Sequence, residues 1–343
     1  MTWPVTYSMR REGVLMRPQV GEPVDETGGV LNPSVYQAEG RLWLMSRTVA
    51  GFPENFSRLG LAELVWVDGR YTVKREPRAA LAPAAPYELL TPEPGTVNVP
   101  GGGCEDPRVT AIGDALWLCY TGYGGDRTPR IALAKSRDGR VWERVGLARF
   151  EPLIDRRGEL PVAIDLNRVD NKDAMLFPER INGRWCLMHR PMFPPSLAPR
   201  ICPKQSIWLS YSDDLIHWGD HQLVAQPEHP WERLKLGGGT QPVRTDEGWL
   251  VVYHGVDGEA DGDRNRRYGA GVMVLHAADP AKVLYRSPEP LLSPDAEEER
   301  AGVVNNVVFP TALWPAPDGD GWHVAYGMAD TMIGLARLTA RRA

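Results

Sequence analysis

Three observations in the amino-acid sequence predict an all-β fold, and within that class a five-bladed β-propeller forming one domain over residues 1–343. A proline-led strand, a glycine-containing turn and an aromatic-rich strand recur five times along the chain. Further short apolar runs bounded by Gly, Asn and Asp lie between these hairpins. The composition, with 35 glycines, 31 prolines and 12 tryptophans, favours many short strands and turns over long helices.

The hairpins follow in order. The first reads Asn32-Pro-Ser-Val-Tyr, then Gly40-Arg-Leu-Trp-Leu-Met-Ser-Arg47, and the second Asp106-Pro-Arg-Val, then Gly113-Asp-Ala-Leu-Trp-Leu-Cys-Tyr120. The third runs from Phe177-Pro178 to His189-Arg190, the fourth from Gln241-Pro242 to Tyr253-His254, and the fifth from Phe309-Pro310 to Gly327. Further strands, Arg130–Ser136 and Ser206–Ser212, each lead into a turn of one spelling, Ser136-Arg-Asp-Gly-Arg-Val-Trp142 and Ser212-Asp-Asp-Leu-Ile-His-Trp218. About four strands in each of five repeats is a propeller, a radial arrangement that leaves only short, protected sheet edges. The repeats exceed the ~40–50 residues of common propeller blades. The excess is assigned to loops at Phe52–Glu63, Pro77–Gly103 and Gly255–Arg267, the last two near the central cavity.

Composition narrows the function. Net charge is −5, from 39 basic and 44 acidic residues, without a basic block, which argues against nucleic acid as a partner. No apolar run approaches membrane-spanning length. The first residues lack a basic segment followed by an apolar core, so no signal peptide is expected. Cys104, Cys119, Cys186 and Cys202 have no zinc-ligand spacing, and Cys119 and Cys186, inside strand-like runs, read as buried free thiols, the usage of a cytoplasmic protein. No metal site is expected.

The segment Gly101-Gly-Gly-Cys-Glu-Asp-Pro-Arg108 concentrates chemistry. Its glycines permit close backbone approach, and Pro107 biases Asp106 toward extended geometry. Read alone, it is equally a glycine-rich turn with a solvated acid pair. The propeller changes that balance, because matching repeat positions converge on one axis. The residues preceding the repeat prolines, Asn32, Asp106, Phe177, Gln241 and Phe309, are therefore expected around one pocket, with Arg47, Arg190, His254 and Asp330 from the hairpin ends. Lys172 before Asp173, Arg190 after His189, and Lys235 before Gly237-Gly-Gly are either solvated cations or, taken together, an oxyanion pocket.

With these residues in hand, the chain resembles glycoside hydrolase family 130. The resemblance rests on Glu105-Asp-Pro-Arg, Lys172-Asp-Ala-Met-Leu-Phe-Pro-Glu-Arg-Ile-Asn-Gly, His189-Arg-Pro, Gly248-Trp-Leu-Val-Val-Tyr-His-Gly and Tyr326-Gly-Met-Ala-Asp-Thr, and runs from about Asn32 to the end. It implies a five-bladed propeller and inverting phosphorolysis of β-mannosides, with release of α-mannose 1-phosphate. It implies Asp106 as the proton donor, its proton travelling through a sugar hydroxyl. It further implies mannose contacts from Asn32, Ser34, Arg47 and Asp330, with Glu105 and Asp173 beside them. Phosphate is implied at Lys172, Arg190, Lys235, Tyr253 and His254, with no cofactor beyond inorganic phosphate as co-substrate. Lys172, often Arg in the family, and the run Gly237-Gly-Gly-Thr-Gln depart from the familiar spelling and leave linkage and acceptor open.

The inventory fits. Inverting hydrolysis needs an acid and a base roughly 6.5–9.5 Å apart, whereas phosphorolysis needs one acid and a cationic cradle for the nucleophile. A hydrolase on the same fold and a non-catalytic sugar-binding propeller are the alternatives. A proton donor needs a raised pKa, which Arg108 would oppose and Glu105 would favour. The partners expected are a β-mannoside and phosphate, with a homo-oligomer left open.

Overall fold

A computed structural model describes residues 3–21, 25–51, 55–90, 101–155, 161–260 and 262–342. Five antiparallel four-strand arrays follow one another around an axis. Blade 1 comprises Gly29–Ala38, Arg41–Val49, Ser57–Val67 and Arg70–Arg75. Blade 2 comprises Gly103–Ile112, Ala115–Tyr123, Arg130–Ser136 and Glu143–Leu147. Blade 3 comprises Asp170–Leu176, Trp185–Met192, Ile207–Ser212 and His217–Ala225. Blade 4 starts with Lys235–Gly238 and Val243–Arg244, both paired to Trp249–Asp257, and continues through Arg267–Leu275 and Val283–Arg286. Blade 5 comprises Val308–Pro315, Trp322–Met328 and Met332–Arg342.

The ring closes with a strand absent from the five-hairpin reading. Val5–Met16 pairs antiparallel with Met332–Arg342, so the start of the chain supplies the outermost strand of the last blade. The innermost strands of blades 1 and 5 pack on each other, as do those of blades 1 and 2.

Between successive blades lies one apolar cluster, five in all among the described residues. Tyr36, Trp43 and Met45 meet Val109, Leu118 and Tyr120 between blades 1 and 2. Leu133 and Ile131 meet Leu187, Trp208 and Trp218 between blades 2 and 3. The remaining three interfaces repeat the pattern. Side chains alternate across each strand, so both faces of a blade feed neighbouring clusters, which is why the strands read as near-continuous apolar runs. All four cysteines are buried and none forms a disulfide among the described residues. Burial pushes the thiols of Cys104 and Cys186 up, as inert core residues require.

The two turns of shared spelling form the same network. In one, Asp138 Oδ1 accepts from the amides of Arg140 and Val141, both at 2.8 Å, while Ser136 Oγ accepts from Gly139 N at 2.9 Å. In the other, Asp214 Oδ1 accepts from Ile216 N and His217 N at 2.8 Å, and Ser212 Oγ from Leu215 N at 2.9 Å.

A second recurring device was not legible as a motif. In the segments leading into blades 2, 4 and 5, a buried glutamate accepts hydrogen bonds from two amides three and four residues earlier. These glutamates are Glu88, Glu232 and Glu299. Each also takes a tyrosine hydroxyl from the second strand, Tyr120, Tyr253 or Tyr326. Each is finally paired with an outer-strand arginine, Arg144, Arg286 or Arg11. Backbone capping, a phenol and a guanidinium together compensate a carboxylate that would be costly to bury alone.

The loop assignments need two corrections. Most of Phe52–Glu63 is strand, since pairing with Arg41–Val49 begins at Ser57; residues 52–54 lie outside the described residues. In Gly255–Arg267, the first three residues still belong to the second strand of blade 4, leaving a shorter loop. Within Pro77–Gly103, residues 77–90 contain no strand as expected, and 91–100 lie outside the described residues.

Candidate active site

The innermost strands carry an irregularity that sets the site. The register against the second strand jumps between Leu31 and Ser34, between Glu105 and Arg108, and between Lys172 and Met175. Each jump is a β-bulge, and its first residue adopts a left-handed backbone: Asn32 at φ 46°, Asp106 at 50° and Asp173 at 55°. Asn and Asp tolerate this region better than other side-chain-bearing residues. Gly238 holds the matching place in blade 4, since Gly237 faces His254 and Thr240 N bonds Val252 O. The bulge redirects these side chains, and it fixes which residues of the repeats are equivalent.

That equivalence corrects the proline alignment in two blades. Pro33 and Pro107 follow the bulge residue, but in blade 3 the bulge is Asp173-Ala174, and in blade 4 the strand pairing breaks after Gly238 and resumes at Val243. Pro178 and Pro242 sit at the outer ends of their strands. Phe177 is accordingly buried in the cluster between blades 3 and 4, edge-on to Trp249, and Gln241 donates to Leu313 O in an outer groove. Neither reaches the axis. Phe309 does, with its ring 4.4 Å from that of His254.

Around Asp106 the structure gathers Asn32, Arg47 and Glu105. Asn32 Nδ2 donates to Asp106 Oδ1 at 2.8 Å. Arg47 donates to Glu105 Oε1 at 2.8 Å and to Ser57 Oγ at 2.9 Å, and its Nη1 lies 3.5 Å from Asp106 Oδ1. Burial raises the Glu105 carboxyl, Arg47 opposes, and Asp106 adds to the rise. Asp330 sits in a tight turn where it and Ala329 are both left-handed. Burial lifts its pKa to about 6, with Arg47 opposing and Asp106 contributing. The Arg108 guanidinium does not meet the Asp106 carboxylate, as the sequence suggested; it binds main-chain carbonyls instead.

Blades 3 and 4 form a second, cationic group. Lys172 and Arg190 are cross-strand partners, and the Lys172 charge bears on Glu105. Arg190 Nη1 lies 3.0 Å from Asp173 Oδ2 and 3.1 Å from His254 Nε2. Since arginine only donates, Nε2 accepts, and the neutral His254 carries its proton on Nδ1. Burial, then the charges of Arg190, Lys235 and Arg108, hold this imidazole well below its ordinary pKa. Lys235 is buried with its Nζ 5.7 Å from the ring centre of Tyr268. Gly237 floors the group: a Cβ there would come within 2.6 Å of His254 Cε1 and 2.7 Å of Arg190 Nη1, with Asp173 Oδ2 closer still.

Two predicted contacts belong elsewhere. Tyr253 is followed in the strand by His254, so the two side chains point to opposite faces, and the Tyr253 hydroxyl donates to Glu232 Oε1 at 2.5 Å. It serves the blade lock, as Tyr120 and Tyr326 do. Ser34 is fully buried and its Oγ accepts from Val109 N at 2.8 Å, tying blade 1 to blade 2. Sequence reasoning in turn missed Ser57, which holds Arg47, and the steric role of Gly237. The unbroken Gly237-Gly-Gly run was the available signal.

Fold and site together define a five-bladed propeller with carboxylates from blades 2 and 5, met by Asn32 and Arg47 of blade 1, beside a cationic cradle from blades 3 and 4. The chain belongs to glycoside hydrolase family 130, whose profile, described as beta-1,4-mannooligosaccharide phosphorylase, matches residues 7–342. It is 37% identical over 240 residues to a 1,2-beta-oligomannan phosphorylase of Thermoanaerobacter sp. (strain X514), covering 69% of this chain and 68% of that one. It is 33% identical over 234 residues to the beta-1,4-mannooligosaccharide phosphorylase of Ruminococcus albus, covering 68% of this chain and 62% of that one. The fold matches that of the beta-1,2-mannobiose phosphorylase of Listeria innocua with TM-score 0.73 at 24% identity, over 98% of this chain and 96% of that one. Among the described residues, no helix is long and apolar enough to cross a membrane.

Proposed function

We propose that this protein is an inverting phosphorylase of β-mannosides that releases α-mannose 1-phosphate. The observation carrying the reading is the division of the site: one carboxyl, Asp106, held on Oδ1 by Asn32 and approached by Arg47 at 3.5 Å, beside a cradle of Arg190, Lys172, Lys235 and His254. A phosphate oxygen attacks the anomeric carbon from the face opposite the leaving sugar. The C1–O bond to the acceptor breaks with inversion, and the acceptor oxygen takes up the proton that Asp106 supplies. Asp106 Oδ1 accepts from Asn32, so the transferable proton belongs on Oδ2. The cradle replaces the general base of a hydrolase, because phosphate is already an anionic nucleophile. Arg47 and Asp330 are assigned to the mannose held against Asp106. No metal or organic cofactor takes part; phosphate is the co-substrate. The four buried cysteines, none of them in a disulfide among the described residues, support a cytoplasmic location.

The test is incubation with β-1,2- and β-1,4-linked mannobiose, with and without phosphate, followed by product identification. Phosphate-dependent mannose 1-phosphate is expected. Free mannose released at the same rate in phosphate-free buffer would make the protein a hydrolase, and no cleavage of any β-mannoside would leave a sugar-binding propeller.

A further inference from the structure

Arg108 is not absorbed by the reading above. Its side chain is almost fully buried, at 1% exposure, yet among the described residues no carboxylate lies within ion-pair distance of it. Burial drives its pKa down. Buried guanidinium groups are ordinarily paired with carboxylates, because an uncompensated interior charge is costly. Here the compensation comes from three main-chain carbonyls. Nε donates to Gly239 O at 2.6 Å, and Nη1 to Asp106 O and Pro107 O at 3.1 Å each. Among the described residues Nη2 has no hydrogen-bond partner, and the guanidinium carbon lies 6.0 Å from the ring centre of Phe309.

The partners of this one side chain are informative. Asp106 and Pro107 are the two residues of the blade 2 bulge, so the bonds hold the left-handed turn that aims the candidate proton donor. Gly239 lies in blade 4, two residues after the glycine that floors the cationic cradle. Phe309 lies in blade 5 and packs on the imidazole of the same cradle. A rigid planar fork therefore spans from the donor's backbone to the cradle's backbone. We propose that Arg108 is a positioning residue that fixes the distance and orientation between the Asp106 carboxyl and the phosphate held in the cradle. It touches neither reacting group through its side chain; it sets both through main-chain carbonyls. The proposal deepens the phosphorylase reading and rests on it.

A lysine retains charge but cannot bridge three carbonyls in two blades with fixed geometry. Misplacement of reacting groups by about 1 Å can cost ~10²-fold in rate. Arg108→Lys and Arg108→Met are compared with wild type in the full chain, by thermal denaturation and by kcat and KM for phosphorolysis of the mannobiose that wild type cleaves. Both variants are expected to fold, to lose about 10²-fold in kcat to similar extents, and to keep the mannoside KM within about threefold. In an Asp106→Asn background, Arg108→Lys should cost less than about threefold further, since residues acting as one unit are not additive. Residual mannose 1-phosphate from long incubations measures this.

Near-wild-type kcat in Arg108→Lys would overturn the proposal, as charge alone would then suffice. So would a further ~10²-fold loss in the double variant, which marks a general structural effect. Failure of both single variants to fold would overturn it too, making Arg108 a strut whose loss takes the fold with it. Absence of phosphorolysis by wild type is a separate result and counts against the phosphorylase reading itself.

Discussion

Gly237→Ala probes the cradle by adding a single methyl group. The backbone tolerates the change, because Gly237 lies outside the left-handed range, so the effect is steric. The new Cβ would stand 2.6 Å from His254 Cε1 and 2.7 Å from Arg190 Nη1, with the Asp173 carboxylate nearer. Ordinary contacts are about 3.5–4.0 Å, so each group has to retreat by roughly 1 Å. The Arg190–Asp173 approach of 3.0 Å and the Arg190–His254 approach of 3.1 Å cannot both survive that movement. Overpacking of this kind costs about 1–3 kcal/mol. Loss of one charge-assisted hydrogen bond to phosphate costs about 1.5–3 kcal/mol, which is roughly ten- to hundredfold in affinity. The phosphate KM should therefore rise about ten- to hundredfold in initial-rate measurements at saturating β-mannoside. The mannoside KM at saturating phosphate should stay within about threefold, because Asn32, Arg47 and Asp330 come from blades 1 and 5. A folded variant whose phosphate KM is unchanged, or whose mannoside KM rises equally, would refute the assignment of phosphate to this cradle.

Three further outcomes are expected. Asp106→Asn should lower kcat by ~10²–10⁴-fold, the span of general acid catalysis, with sugar binding retained in calorimetry. If Glu105→Gln is inactive and Asp106→Asn active, the wrong carboxyl has been named. Tyr253→Phe should leave the phosphate KM within about twofold but lower stability by about 1.5–3 kcal/mol, the worth of a hydrogen bond to a charged group, since its hydroxyl binds Glu232; a large KM change with unaltered stability would return Tyr253 to the phosphate site. Stability should also fall on acidification. Burial holds His189 and His254 neutral in the fold, so below about 6.5 only the unfolded chain takes up their protons; the lowered His221 and His323 add to this, while Asp330, raised to about 6, and the raised Glu105 and Asp170 oppose. Denaturant titrations should record a net loss of about 1 kcal/mol between about pH 7.5 and 6, and stability that stays flat or rises would refute the buried neutral imidazoles.

The propeller was legible because turn chemistry and apolar runs repeat locally, and a hairpin needs only local sequence to be recognised. Closure was not, because Val5–Met16 finds its partner at the far end of the chain and nothing local marks that pairing. The same limit hid the Glu88, Glu232 and Glu299 locks, whose tyrosine and arginine partners lie on separate strands. Tyr253 was misplaced for a related reason: in a strand with both faces buried, alternation gives no polar signal of which side chain faces the axis. His254 and Tyr253 are neighbours, and only one can enter the site.

The prolines misled where the bulge would not have. Proline marks a stiff position, and it stands after the bulge in blades 1 and 2 but at the strand's outer end in blades 3 and 4. What recurs at the axis in blades 1, 2 and 3 is a left-handed backbone, met by Asn32, Asp106 and Asp173; Gly238, at the matching place in blade 4, does not adopt it. In those three blades the requirement is conformational first, because short polar residues such as Asn and Asp accept that geometry more readily than other side chains. It then delivers an amide, a carboxyl and a second carboxyl to one level of the axis, where they have diverged. Asn32 donates to Asp106, while Asp173 is held by Arg190. In blade 4 a methyl group at Gly237, beside the break in pairing, would fill the space at which Arg190 and His254 converge. A repeated backbone strain thus fixes where functional groups stand, and substitution at each copy decides what they do.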